Sequence, residues 1–274
     1  MGHGTMPMHH QQSGSATAAL LPLLPLLPLL LCAGGYLLLA HRANRKNPAR
    51  PWNVWRTVGF TTGLALLATA LLPPLAPWAH QDFRGHMTQH LLIGMYAPLA
   101  LVLGAPVTLL LRALPAARAR RVTAVLHSGP ARLLTRPSVA LLLSTGSLPV
   151  LYFTPLYDSV MAEPAGHWLM HVHFLLSGCL FAHSVAGPDP APARPGVRVR
   201  LVCLGCAIAV HAVVAQLMYG GFWVRIHAPV PQVQGGAEIM YYGGDIAELL
   251  LAAALVTTWR PQRRAVVRPA AAPS

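Results

Sequence analysis

Long apolar stretches without strict alternation, separated by short polar connections, dominate this chain. Seven of them reach the roughly 20 residues that a helix needs to cross about 30 Å of hydrocarbon. They cover residues 18–40, 56–77, 87–111, 138–157, 167–186, 198–220 and 237–259. Unalternating runs of this length argue against the strands of a barrel. A backbone in lipid must satisfy its own hydrogen bonds, so the pattern predicts an all-α polytopic bundle of about seven transmembrane helices over 18–259. The first run contains LLPLLPLLPLLL, whose prolines Pro22, Pro25 and Pro28 each remove a backbone donor, so its entry half is expected to be irregular or kinked. Its leader, MGHGTMPMHHQQSGS, has no Lys or Arg to form a positive n-region, and no clear small-x-small site precedes the basic stop. A retained helix is therefore expected in preference to a cleaved signal.

The polar connections are strongly asymmetric. Of the 20 Lys and Arg, all but Arg84 and Arg225 fall after spans one, three, five and seven. The positive-inside rule then puts the N-terminus outside and the C-terminus in the cytoplasm, in agreement with an odd number of spans. Residues 1–17 form an extracytoplasmic tail on this reading, and 260–274 a basic disordered cytoplasmic tail.

Composition agrees with lipid. Of 274 residues, 54% are hydrophobic and only 10% charged, too few to solvate a globular surface. The net charge of +13 is scattered over short loops, not gathered in a patch. That excludes nucleic acid as the expected partner and favours the anionic headgroups of the bilayer. The four cysteines, Cys32, Cys179, Cys203 and Cys206, all lie in apolar runs, where no disulfide framework can be read.

Ten of the 14 histidines fall in the stretches expected outside. His86 and His90 stand four apart at the mouth of span three, on one helical face, and His167 and His171 repeat the spacing at the mouth of span five. His173 points roughly to the other side of that helix. Two imidazole pairs at matched depth suit copper, zinc, iron or nickel, although outer-interface histidines can also simply bond to headgroups. Met87, Met95 and Met170 are soft neighbours that would favour Cu(I), or ordinary helix filler. His3, Met6, Met8, His9 and His10 could capture copper from a flexible leader, or be compositional accident.

Three further groups lie deeper. Asp245 and Glu248 share a face of span seven, with Glu238 nearer the outer end, and carboxylates inside a bilayer are functional candidates by default. Counting rise puts Glu248 at the depth of His211 in span six, so an imidazole–carboxylate pair is available for proton transfer, support of a ligand or plain structural pairing. Cys203 and Cys206, at about the level of Cys179 and His183, could form an inner thiolate site. Cysteine is also a common buried small residue, and Gly205 between the pair suggests close helix packing.

The segments GHMTQHLLIGMYAPLALVLGAP, HWLMHVHFLLSGCLF and GGAEIMYYGGDIAE, in this order and in matching spans, resemble the CtaG-type cytochrome c oxidase assembly factors of bacteria over about residues 50–259. The resemblance implies a multi-pass plasma-membrane protein that helps mature a haem-copper oxidase at the copper-delivery step, with an oxidase subunit or a copper chaperone as partner. Residue by residue it points to His86, His90, His167, His171 and Asp245. The chain departs from that pattern at Tyr241 and Tyr242, one of which stands at a position associated with Trp. The expected function is copper binding at the outer face without catalysis. A copper transporter, using the His pairs, His211 with Glu248 and the inner cysteines in turn, is the alternative. A haem or quinone protein is another, because histidines on facing helices can ligate haem. No H-E-x-x-H occurs in any span, so an intramembrane metalloprotease is not expected.

Overall fold

The computed structural model describes residues 24–191 and 194–258. His3, Met6, Met8, His9, His10 and both tails lie outside the described residues. All regular structure within them is helical, and six helices are long and apolar enough to cross a membrane.

The first, α1 (Leu26–Lys46), begins at Pro25. Pro28 therefore sits in its first turn, where an amide would have no partner in any case, so that proline does not break it. The helix also runs six residues past the expected limit, ending on Arg45 and Lys46, whose charges suit a helix C-terminus. The second, α2 (Val54–Leu71), is capped by Asn53 and stops at Leu72, just before Pro73 and Pro74. The connecting loop folds into a short helix, α3 (Leu75–Gln81).

The third span, Phe83–Ala113, is continuous in space but not in hydrogen bonding. It consists of α4 (Phe83–Leu91), a π turn over Leu92–Tyr96, α5 (Ala97–Leu103) and α6 (Pro106–Ala113). Pro98 cannot donate to the carbonyl of Gly94, and the Ala97 amide reaches back five residues to Leu92, so the ladder slips by one residue just past His90. Asp82 caps α4, accepting from the Arg84 amide at 2.8 Å and from its guanidinium. The hydrogen bond from Arg84 holds the Asp82 carboxyl below its ordinary range. The stability this cap supplies is present above the unfolded carboxyl's pKa and is lost as pH falls through the lowered folded value.

The fourth expected span is a correction. Instead of one helix over 138–157, α7 (Ala116–Leu126) and α8 (Gly129–Leu134) lead into α9 (Pro137–Ser144) and α10 (Ser147–Tyr152). Sixteen residues from Pro137 to Tyr152 rise only about 24 Å, less than a full-length spanning helix, and as two short helices they carry the chain from Ala140 in the far core to Tyr152 at the histidine end. Pro149 has no proton for the carbonyl of Thr145, and the chain turns at Thr145–Gly146. A further short helix, α11 (Leu156–Met161), precedes the last three spans: α12 (Pro164–Ala186), α13 (Val197–Tyr219) and α14 (Val230–Thr258). At 29 residues α14 is about 43 Å long, enough to cross with tilt.

The long helix α12 is central, packed against the third span, α9, α11, α13 and α14. Toward the histidine end the core is Phe83, Met87, Tyr152, Phe174, Met218 and Met240. At the other end it is Leu99, Phe181, Val185, Leu204, Leu251 and Leu255. Outward faces carry exposed Leu27, Leu30, Leu142, Leu169, Val202 and Leu249, as a lipid-facing surface requires.

Asp189, in the loop after α12, is the buried acid that ties this arrangement together. Its carboxylate accepts from the Val107 amide (3.0 Å), the Thr108 amide (2.7 Å) and the Thr108 hydroxyl (2.6 Å), satisfying the start of α6 from 81 residues away. Asp189→Ala is expected to cost about 2–3 kcal/mol. It should appear as a lowered Tm in detergent, and an unchanged Tm would show that the cap is not needed.

Candidate functional site

The short helix α3, the start of α4 and the start of α12 meet at one end of the bundle and bring four histidines, His80, His86, His167 and His171, together. The His167 ring lies 4.2 Å from that of His171 and 4.4 Å from that of His80. The partner of His171 across the interface is Gln89, one turn from His86. Its amide nitrogen donates to the carbonyl of Ala70 (2.8 Å), which can only accept, so its oxygen must face Nε2 of His171 at 3.1 Å. His171 therefore carries its proton on Nε2, and in the neutral ring Nδ1 keeps a lone pair. That Nδ1 is buried and has no hydrogen-bond partner among the described residues.

His86 is held in a comparable way. Its Nε2 lies 3.3 Å from the Tyr152 hydroxyl, and Phe83 and Tyr157 flank the ring, with Tyr157 edge-on at 4.9 Å. Burial pushes the Tyr157 phenol up, so it stays neutral against the imidazole. His86 Nδ1 and His167 Nε2 are buried without partners, like His171 Nδ1. Three imidazole nitrogens of this group are thus desolvated and uncommitted, a costly arrangement unless something else uses them. Among the described residues no three His, Cys, Asp or Glu side chains are grouped closely enough to hold a metal ion together. What the structure offers is imidazole pairs.

His90 faces deeper. Its ring packs edge-on to Phe174 at 4.3 Å and lines a cavity of about 50 Å³ between the third span and α9, α12, α13 and α14. His211 and Glu248 line the same cavity, and Nδ1 of His211 lies 3.3 Å from Oε1 of Glu248. Gly244 makes this possible: a Cβ there would stand 2.3 Å from Cε1 of His211. His90 Nδ1, His211 Nε2 and Glu248 Oε2 are all buried without partners. Fifty cubic ångströms holds one or two waters, and three polar atoms are what such waters need. Glu248→Ala is expected to lower Tm by more than Glu248→Gln, because Gln can still accept from His211 while Ala leaves the ring unpartnered. Equal Tm losses would remove the pair's structural role.

The other candidates lie apart. Asp245 is half-buried and does not line the cavity, and Glu238 is exposed. His173 turns from the other histidines to the Ser147 hydroxyl at 3.1 Å. Met87 and Met170 are core residues, whereas Met95 lines the cavity. All four cysteines are free thiols: Cys203 is buried, Cys179 partly buried, and Cys32 and Cys206 exposed. Among the described residues nothing lies within 4 Å of a Cβ on Gly205, so none of them makes the close helix contact expected there. His80, Gln89, Tyr152 and Tyr157 escaped the sequence reading. The only signal for His80 was its place six residues before His86, in a connection taken as loop.

The family described as cytochrome c oxidase caa3 assembly factor matches residues 34–262. The chain belongs to this family. The expectation drawn from the three resembling segments is thereby confirmed, and the apolar helices make it a multi-pass membrane protein. Uncharacterized proteins of Mycobacterium bovis and Mycobacterium tuberculosis are each 30% identical over 253 residues, covering 85% of this chain and 37% of their own length. One from Mycobacterium leprae is 31% identical over 238 residues, covering 79% and 36%. The chain thus spans just over a third of these curated relatives. No solved structure matches it.

Proposed function

We propose that this assembly factor binds copper as cargo at the outer face of the bacterial plasma membrane and hands it to a haem-copper oxidase subunit or to a copper chaperone serving it, without catalysing a reaction. The observation that carries the reading is the trio of buried, uncommitted imidazole nitrogens on His86, His167 and His171, two of whose rings are fixed by Tyr152 and Gln89. Imidazole is a good ligand for copper, and a partner bond on the opposite ring nitrogen orients such ligands. Cu(I) accepts two ligands, so pairs suffice, and an ion held by few ligands is readily passed on. Asp245, half-buried on α14, is the carboxylate that would neutralise the charge of the bound ion.

The test is the copper content of the oxidase. Cells lacking this protein should assemble caa3-type oxidase with haem present, copper depleted and activity low, and added copper should restore part of it. Full copper occupancy in their oxidase would overturn the reading.

The cavity at His90, His211 and Glu248 favours one second reading, passage of copper through the bundle. Uptake of copper into proteoliposomes that depends on Glu248 would support it. Purified protein that retains copper yet transports none would leave delivery as the function.

A further inference from the structure

At the end of the bundle opposite the histidines, residues 188–191 and 194–196, the first turn of α13, Arg56 on α2 and the last residues of α14 line an open pocket of about 1060 Å³. Arg56, Arg194, Arg198 and Arg200 line it, against one carboxylate, that of Asp189. Both oxygens of that carboxylate are already bonded to the start of α6. No ion pair among the described residues engages any of the four guanidinium groups.

Three features give the pocket a polarity. Residues 195–200 form its wall, so the start of the 23-residue α13 opens onto it, with no acid in the first turn and no side-chain cap. A helix start favours anions, through free amides and the macrodipole. Arg200 is only 7% exposed, and although one of its terminal nitrogens donates to the carbonyl of Val185, its Nε is buried without a partner. Arg194 donates to the carbonyl of Asp189 and likewise leaves Nε unpartnered. Burial, and then the charge of Arg200, lower the pKa of Arg194, and the opposing pull of Asp189 does not offset them.

We propose that this pocket binds the phosphate group of an anionic membrane lipid, through Arg194, Arg198, Arg200 and the amides that open α13. A free phosphate would meet the same donors, but the surroundings favour a lipid. Val199, Leu201 and Val202, directly beside the arginines on α13, are 50%, 48% and 64% exposed, an apolar strip on which acyl chains can lie. Basic pockets between transmembrane helices are suited to such headgroups.

The experiment is native mass spectrometry of the full chain in mild detergent, titrated with dioleoyl phosphatidylglycerol, with dioleoyl phosphatidylcholine and with inorganic phosphate. Wild type should retain one phosphatidylglycerol in preference to phosphatidylcholine. Arg194→Gln with Arg198→Gln should weaken this at least about tenfold, at about fivefold per charge. Arg118→Gln with Arg121→Gln, on the basic helix α7, should leave it unchanged. Should the first double variant fail to fold, Arg198→Gln alone, at an exposed position, is expected to weaken retention about fivefold. No preference over phosphatidylcholine, equal loss in the α7 variant, or inorganic phosphate competing as strongly as the lipid would each overturn the proposal.

Discussion

Copper retained by the purified protein is expected to fall at least about a hundredfold when His86 and His171 are both replaced by alanine. The two side chains come from different helices, and each has one ring nitrogen bonded to a protein partner and the other free. Removing only an outer partner of a metal-binding histidine typically costs 10–100-fold in affinity, so loss of two imidazoles should exceed that. Gln89→Leu, which removes the partner and leaves the ligand, is accordingly expected to lose about tenfold. Both are read as copper per chain by mass spectrometry after growth with copper and purification in mild detergent. His127→Ala, an exposed histidine near the opposite end whose Nδ1 bonds only to the carbonyl of Thr123, is the control and should retain wild-type copper. Because His86 is buried, Tm is measured on each variant to separate loss of ligand from loss of fold. Wild-type copper in a folded double variant would remove the histidine group from the function.

How much of this was legible in the sequence depended on what each feature rests on. Helical rise is fixed, so the level of Glu248 against His211 could be counted from the span boundaries, and the two are in fact 3.3 Å apart. The pairs His86/His90 and His167/His171 were visible as i, i+4 repeats, but that only Gln89 and Tyr152 fix one ring of each pair was not. Such partners are chosen by packing between helices, which periodicity does not encode. His86 and His90 share a face, yet one turn of rise sends the second toward the cavity and leaves the first among Phe83, Tyr152 and Tyr157. The fourth span divides in a way that hydropathy does not register: Pro149 counts as apolar, yet it cannot donate to the carbonyl of Thr145, where the ladder breaks. Asp189 carries no signal in the PDP of the sequence, and only its burial beside the start of α6 shows what it does.

The close approach of α12 to the third span carries the second large effect. A Cβ on Gly178 would stand 2.1 Å from the carbonyl oxygen of Gly94 and 2.9 Å from Cγ of Pro98. The first obstacle is backbone, so no rotamer change relieves it. The two helices must separate, and they are the ones that carry His86 and His90 on one side and His167 and His171 on the other. Gly178→Ala is therefore expected to cost about 1–3 kcal/mol by overpacking, a drop in Tm of about 5–10 °C, and to lower copper retention with it. Gly205→Ala is the comparison within the same bundle. Nothing lies within 4 Å of a Cβ at that position, and alanine is the better helix former, so its Tm should hold or rise. Helix crossings with small residues at the contact allow backbones to meet in this way. If Gly178→Ala keeps the wild-type Tm while Gly205→Ala does likewise, the helices do not meet there, and the matched depth of the two histidine pairs loses its structural cause. If instead Tm falls and copper retention stays, the pairs bind independently, each on its own helix, and delivery does not require that they face each other.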